Sequence, residues 1–250
     1  MDCYNHVDVV KYLQSCDSDL DATFYHIPKR TAVVKPKKYR VVIDKLYSVL
    51  NDGRCGVCDV MNAVMHVKNY ILKDMEFEDM TFSRMCFGNM VARALPSIDS
   101  LTAIKDAVSY KDVRDGSYKK YEVLGVNSGF GAWEKIFEMM DITVVATDER
   151  LPSHSFVTVV ELSTISAVRR YVDFQVLFVG DVRYDQNWCG TLDTFRGNTL
   201  IFISEIVDGH TVNYSLKYIV SRFWNVTIID LDSWPDRVDK LFICYRKDIL

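Results

Sequence analysis

Residues 127–131 read Asn-Ser-Gly-Phe-Gly, directly after an apolar run at 121–126 and before a helix-like stretch. That order is strand, glycine-bearing turn and helix start. Glycine lets the backbone approach a ligand closely, and the first turn of a helix offers free N–H groups. Two glycines in a turn are common, so the segment gains weight only from acids farther along the chain. Seventeen residues past Gly131 the run 142–147 ends in Asp148. A carboxylate at the end of a second strand is where Rossmann-type domains hold the ribose hydroxyls of a nucleoside-containing cofactor. Taken alone, Asp148 reads equally well as a solvated strand end. A third acid, Asp181, closes the very apolar run Val176-Leu177-Phe178-Val179-Gly180. There it would sit at the mouth of a sheet, near a transferred group, or else cap the next loop.

These residues need a sheet to bring them together, and the pattern supplies one. Before residue 118 the apolar spacing is mostly helical. Helices are predicted over about 40–51 and 58–74, then a third from Thr81 to just before Pro96. A fourth, capped by Ser97 or Asp99, runs through Leu101, Ile104 and Val108. The polar stretch 112–119 reads as a join. Beyond it, strands are predicted at 121–126, 142–147, 156–160, 175–179, 199–204, 226–231 and 241–245. Helices are predicted at 131–140, 163–171 and 211–223. Alternating strands and helices make a mainly parallel sheet covered on both faces, with ligands at the carboxyl ends of its strands. Only residues 232–240 separate the last two strands, which predicts a hairpin and one antiparallel strand.

Composition sets the outer limits. The chain has 250 residues, 49% of them apolar and 26% charged, which suits a folded protein with a real core. A formal net charge of −4 gives no global sign of nucleic-acid binding, so any RNA contact must be a local patch. No apolar run approaches the roughly 20 residues that span a bilayer. The first residues lack the basic end and apolar stretch of a secretory signal. Seven scattered cysteines read as reduced thiols, and a cytoplasmic location is the expectation.

With those motifs in place, residues 119–250 resemble the FtsJ/RrmJ-like RNA 2′-O-methyltransferases, a family that includes viral mRNA cap enzymes. Residues 122–133, Glu-Val-Leu-Gly-Val-Asn-Ser-Gly-Phe-Gly-Ala-Trp, are similar to its first motif. Asp148 matches its ribose-binding acid, and the short link to Phe156 carries Pro152 with no room for a helix. Glu161 falls at its adenine-side acid, Asp181 at its catalytic aspartate, and residues 197–202 and 239–243 resemble its fifth and last strands. The resemblance implies an α/β fold: a Rossmann-like methyltransferase sheet with helices on both faces over 119–250, preceded by a mainly helical region over 1–118. It implies S-adenosylmethionine as cofactor, held by Asn127, Gly129, Gly131, Asp148 and Glu161. It implies RNA as acceptor, in single-stranded or capped form, with Asp181 and Asp239 as the catalytic acids.

The family's catalytic set of lysine, aspartate, lysine and glutamate is incomplete. Ile203 or Ser204 stands at the fifth-strand lysine, Asp239 replaces the glutamate, and Gly125 replaces the acid of the first motif. Lys119 and Lys120 are candidates for the first lysine. Three readings remain open: a rearranged 2′-O site, a better nucleophile such as guanine N7 that needs no general base, or a binding or scaffold subunit without catalysis.

Other segments bear on the acceptor. Lys29, Arg30, Lys35, Lys37, Lys38 and Arg40 form a basic run around Tyr39, suited to phosphates and a stacked base, or equally to a solvated loop. Tyr184 and Trp188 could stack on an RNA base or pack their loop down. Cys55 and Cys58, with His66 and Cys86, fall short of the four well-spaced ligands of structural zinc, so no metal is expected. A protein partner is the remaining expected contact.

Overall fold

The computed structural model describes residues 36–71, 91–92, 94–180, 182, 186, 188–207, 210–211, 216, 220, 224–232 and 238–247. Its side chains are described except at 36–43, 70–71, 206–207 and 210–211.

Among the described residues three helices come first: α1 (Pro36–Asn51), α2 (Val57–Ile71) and α3 (Ile98–Val108). Helix α1 starts four residues before the sequence pattern does. Proline is favoured at a first helical position because its φ is preset and its missing N–H would have had no partner, and Pro36 takes that place. Ser97, not Asp99, caps α3. Its hydroxyl accepts the Ser100 N–H, while the Ser100 hydroxyl oxygen accepts the Ser97 N–H, a reciprocal capping box. The expected helix over 81–95 and the one over 211–223 lie almost wholly outside the described residues.

The polar join holds a small hairpin, β1 (Ser109–Lys111) with β2 (Tyr118–Lys120). After it come β3 (Val123–Val126), α4 (Ala132–Met139), β4 (Val144–Asp148), β5 (Val159–Glu161), α5 (Thr164–Arg170), β6 (Val176–Val179) and α6 (Trp188–Thr194). The chain closes with β7 (Thr199–Val207), β8 (His210–Thr211), β9 (Trp224–Asp230) and β10 (Asp239–Arg246). The main sheet has the order β5-β4-β3-β6-β7-β10-β9, with β8 paired to β7 off that path. Strands β3 to β7 are parallel, and β10 is antiparallel to both its neighbours. This is a Rossmann-like α/β sheet with the antiparallel strand that the short final connection predicts.

Every residue of β3 and of β6 is buried, as central parallel strands covered on both faces must be. Because side chains alternate across the pleat, each strand feeds two cores. Val123, Val176, Phe178, Ile201 and Leu241 face α4 and the three early helices. Leu124, Val126, Leu177, Val179 and Phe202 face α5 and α6. The first cluster also takes Leu46, Leu50, Val64, Leu101 and Ile104, so the described helices before residue 109 share a core with the sheet. Ser97 reinforces this by donating its hydroxyl to the Asp230 carbonyl of β9. No helix among the described residues is long and apolar enough to cross a membrane.

The shared core predicts one cooperative unfolding transition. Leu50→Ala, at a position 1% exposed, should cost about 2–5 kcal/mol. Urea denaturation followed by both helix signal and tryptophan fluorescence checks it. Two separate midpoints, with only the first moved by the substitution, would show that the early helices fold apart from the sheet.

Candidate functional site

The chain runs outward from β3 to β4 and β5, then returns to β6 on the other side of β3. The strand order therefore reverses between β3 and β6, and in open α/β sheets that is where ligands bind, beyond the carboxyl ends of the strands. The Asn127–Gly131 turn leaves β3 at this point. Asn127, Gly129 and Gly131 all have positive φ, at 53°, 53° and 72°. Such backbone suits glycine, and asparagine tolerates it better than most residues.

The turn is tied to β4 by three hydrogen bonds. Ser128 donates its N–H to the Thr147 carbonyl at 3.1 Å. Thr147 donates its N–H to the Ser128 hydroxyl oxygen at 3.2 Å. Gly129 donates its N–H to Asp148 Oδ2 at 2.9 Å, while Asp148 Oδ1 accepts the Arg150 N–H at 3.1 Å. The structure thus brings together two residues that the sequence places nineteen apart, Gly129 and Asp148. Among the described residues a Cβ at Gly129 would meet nothing within 4 Å, so they leave the outer side of the turn open. Gly131 differs: a Cβ there would lie 2.5 Å from Val157 Cγ2, so the β4–β5 loop covers it. That loop has no helix, and Phe156 donates its N–H to the Phe130 carbonyl at 2.8 Å. Phe130 stacks on His154, and Tyr47 of α1 packs against His154 and Phe156. A cleft of about 640 Å³ runs along the loop beside Leu151, Pro152 and Val159, but neither Gly129 nor Asp148 lines it.

Asn127 is buried, and its side-chain amide forms a reciprocal pair with Gln186. Asn127 donates to Gln186 Oε1 at 2.7 Å, and Gln186 donates back to Asn127 Oδ1 at 2.9 Å. Thr164 at the start of α5 adds a hydroxyl donor to Asn127 Oδ1 at 3.3 Å. Asn127 therefore clamps the turn to the segment beyond β6. Glu161 ends β5 opposite Asp148 in register and is exposed.

Glu134, on the first turn of α4, was not among the residues expected from sequence. It is 1% exposed, and among the described residues its Oε1 has no hydrogen-bond partner. A Cβ at Gly125 would stand 2.6 Å from that oxygen, so the glycine of β3 makes the room that the carboxyl fills. Burial pushes its pKa up to about 7, the Ser128 hydroxyl and its own backbone N–H pull the other way, and the Asp148 charge pushes up again. The signal in the sequence is a single acid among Ala132, Trp133, Ile136 and Phe137, on the helix face that packs the core.

Several expectations change. Trp188 is fully buried in the core beneath α5 and α6, so its ring packs the fold and is not presented to a base. The loop expected around it gives way to helix α6 from Trp188 onward. Lys119 and Lys120 lie before β3, at the end of the sheet away from Asp148. Lys119 pairs with Asp112, and Lys120 donates to the Met140 and Asp141 carbonyls at the end of α4. Neither supplies a lysine to the site. Lys240 does stand across from Ser204 in the β7–β10 register, yet its ammonium pairs with Asp230 on β9. Asp239 is buried at the start of β10, across from Glu205 and at the carboxyl edge of the sheet. Lys37, Lys38 and Tyr39, ahead of the helix expected from about residue 40, fall within α1 together with Arg40, and the side chains of all four are not described. Lys35, Asp181 and Tyr184 lie outside the described residues. Among those described, no group of three or more His, Cys, Asp or Glu residues could hold a metal ion.

No protein-family model matches the chain, and no curated protein matches it in sequence. Solved structures similar to it include the methyltransferase domain of bacterial CtHen1-CN, at 10% identity and a TM-score of 0.39, covering 59% of this chain and 95% of that one. The magnesium protoporphyrin IX methyltransferase of Synechocystis PCC 6803, solved with bound S-adenosylmethionine, is 8% identical with a TM-score of 0.39, covering 91% of this chain and all of that one. Likenesses of this strength add nothing to what the strand order establishes.

Glu134 makes stability depend on pH. Its folded pKa of about 7 exceeds the ordinary 4.5, so the folded chain binds the extra proton between those values. The stability from this group is complete below about pH 4.5 and is lost as pH rises through 7, a change of about 3 kcal/mol. Glu134→Gln should flatten that decline in urea titrations between pH 5 and 8. Parallel profiles for the two proteins would show that the carboxyl is already ionised in the fold.

Proposed function

We propose that this chain is an S-adenosylmethionine-dependent methyltransferase acting on RNA, with an acceptor atom that needs no lysine-assisted deprotonation. The observation that carries the reading is the juxtaposition of an open Gly129 with Asp148 at the strand-order reversal. Asp148 is held by two backbone amides, which fixes its carboxylate at the strand end where ribose hydroxyls would donate to it. Gly129 leaves space for the nucleoside to approach the backbone, and Glu161, two strands from β3, lies on the adenine side. When bound, S-adenosylmethionine supplies an electrophilic methyl group on a sulfonium. The chain's own part is to hold donor and acceptor in line and to keep water out.

The acceptor follows from the lysines. A ribose 2′-hydroxyl needs a group that lowers its pKa or removes its proton, and the two lysines expected for that task are engaged elsewhere, Lys119 with Asp112 and Lys120 at the end of α4, as is Lys240 with Asp230. Guanine N7 attacks through a lone pair and needs no base, so a cap guanine is the acceptor class this site suits. RNA is favoured by the basic residues Lys37, Lys38 and Arg40, near the start of α1. The same engaged lysines favour a second reading, in which the fold is kept as a binding subunit of an RNA-processing assembly.

Calorimetric titration with S-adenosylmethionine and S-adenosylhomocysteine separates the two. Micromolar binding by the wild type, weakened at least a hundredfold in Asp148→Ala, is expected of the enzyme. No binding by the folded protein leaves the scaffold reading. For RNA, the triple substitution of Lys37, Lys38 and Arg40 by alanine should lower the salt dependence of binding to a single-stranded oligonucleotide by about 2 in log–log slope. An unchanged slope removes the basic run from the RNA path.

A further inference from the structure

We propose that the Glu134 carboxyl is the counter-charge for the cationic end of the ligand held at the glycine turn, and that it gives up its proton as that ligand binds. The inference rests on the methyltransferase reading, in which the cation is the sulfonium and ammonium portion of S-adenosylmethionine.

The packing of α4 is explained by Trp133, Ile136 and Phe137, which fill the core against Phe178. It does not explain a carboxyl buried beside them. An ionised carboxylate out of water costs several kcal/mol unless it is paired and hydrogen-bonded. Among the described residues, one oxygen of Glu134 has no hydrogen-bond partner, and it fills the space beside β3 that Gly125 leaves by having no side chain. The described groups bearing on it are the Ser128 hydroxyl of the turn, its own backbone N–H and the Asp148 carboxylate of β4, with no lysine or arginine among them. Asp148 has two amide donors to support its charge.

Two carboxyls meet at one turn and are unequally supported, which disfavours a second charge on the less supported one. Burial and the neighbouring Asp148 carboxylate both oppose a charge on Glu134, whose pKa is raised to about 7. A cation arriving over Gly129 reverses the balance, because the charge that burial and Asp148 oppose then gains an attractive partner. The proton passes to the buffer and no covalent bond changes. One consequence is discrimination: S-adenosylmethionine carries a sulfonium, and the S-adenosylhomocysteine left after methyl transfer has a neutral sulfur. Glu134 therefore favours the methyl donor over the spent cofactor.

The test is calorimetric titration of the full chain with each ligand at pH 7, in phosphate and in Tris, whose ionisation enthalpies differ. The wild type should release about half a proton on binding S-adenosylmethionine and less on binding S-adenosylhomocysteine. Glu134→Gln, an uncharged isostere whose folding is checked by thermal unfolding, should release none through this group and bind S-adenosylmethionine about tenfold more weakly, with a smaller change for S-adenosylhomocysteine. Binding of both ligands with equal enthalpies in the two buffers overturns the inference and leaves the cofactor site standing. Proton release that persists in Glu134→Gln assigns it to the ligand's own amine and also overturns the inference. If neither ligand binds the wild type, the inference and the methyltransferase reading fall together.

Discussion

The site depends on the hydrogen bond from the Gly129 amide to the Asp148 carboxylate. It joins the turn after β3 to the last residue of β4, and it can form only because these strands pair in parallel, with Val126 beside Thr147. The pairing in turn requires both strands to be covered on two faces, by α4 and the early helices on one side and by α5 and α6 on the other. A charged acceptor strengthens an amide hydrogen bond, and the low dielectric of a buried strand end strengthens it further. The geometry of the turn, the direction in which α4 departs and the open side of Gly129 all depend on this connection.

The same region shows how one residue's size governs another's charge. Gly125 has no side chain, and the vacated volume is filled from α4 by Glu134. On the helix the carboxyl is enclosed, and enclosure raises its pKa. The turn thus has beside it a carboxyl whose pKa lies near neutrality. Asn127 makes a related substitution in the turn itself. It adopts a backbone conformation that glycine would take more easily, and its amide gains the pair with Gln186 in return.

Much of the fold was legible in the sequence because its central strands are nearly pure apolar runs. Val123–Val126 and Val176–Val179 admit few other interpretations, and the short final connection forces an antiparallel strand. Asp148 was legible for the same reason, as the first acid after such a run. Glu134 was not, because its meaning depends on the missing side chain of Gly125, nine residues away and on another element. Trp188 misled because a tryptophan in a polar stretch looks like a surface aromatic. Its neighbours in sequence are polar, while its neighbours in space are the apolar residues under α5 and α6. Lys119 and Lys120 misled because sequence distance from β3 does not show which end of the sheet they occupy. The hairpin of β1 and β2 puts them at the amino end.

The central claim is that the turn at Gly129 and the carboxylate of Asp148 form one nucleoside-binding site at the reversal of strand order. A crystal structure of the chain with S-adenosylhomocysteine tests it most directly. The ribose hydroxyls should lie within hydrogen-bonding distance of the Asp148 carboxylate, with the nucleoside over the open side of Gly129. A ligand bound elsewhere, as in the cleft along the β4–β5 loop, with Asp148 contacting only backbone amides, would contradict it.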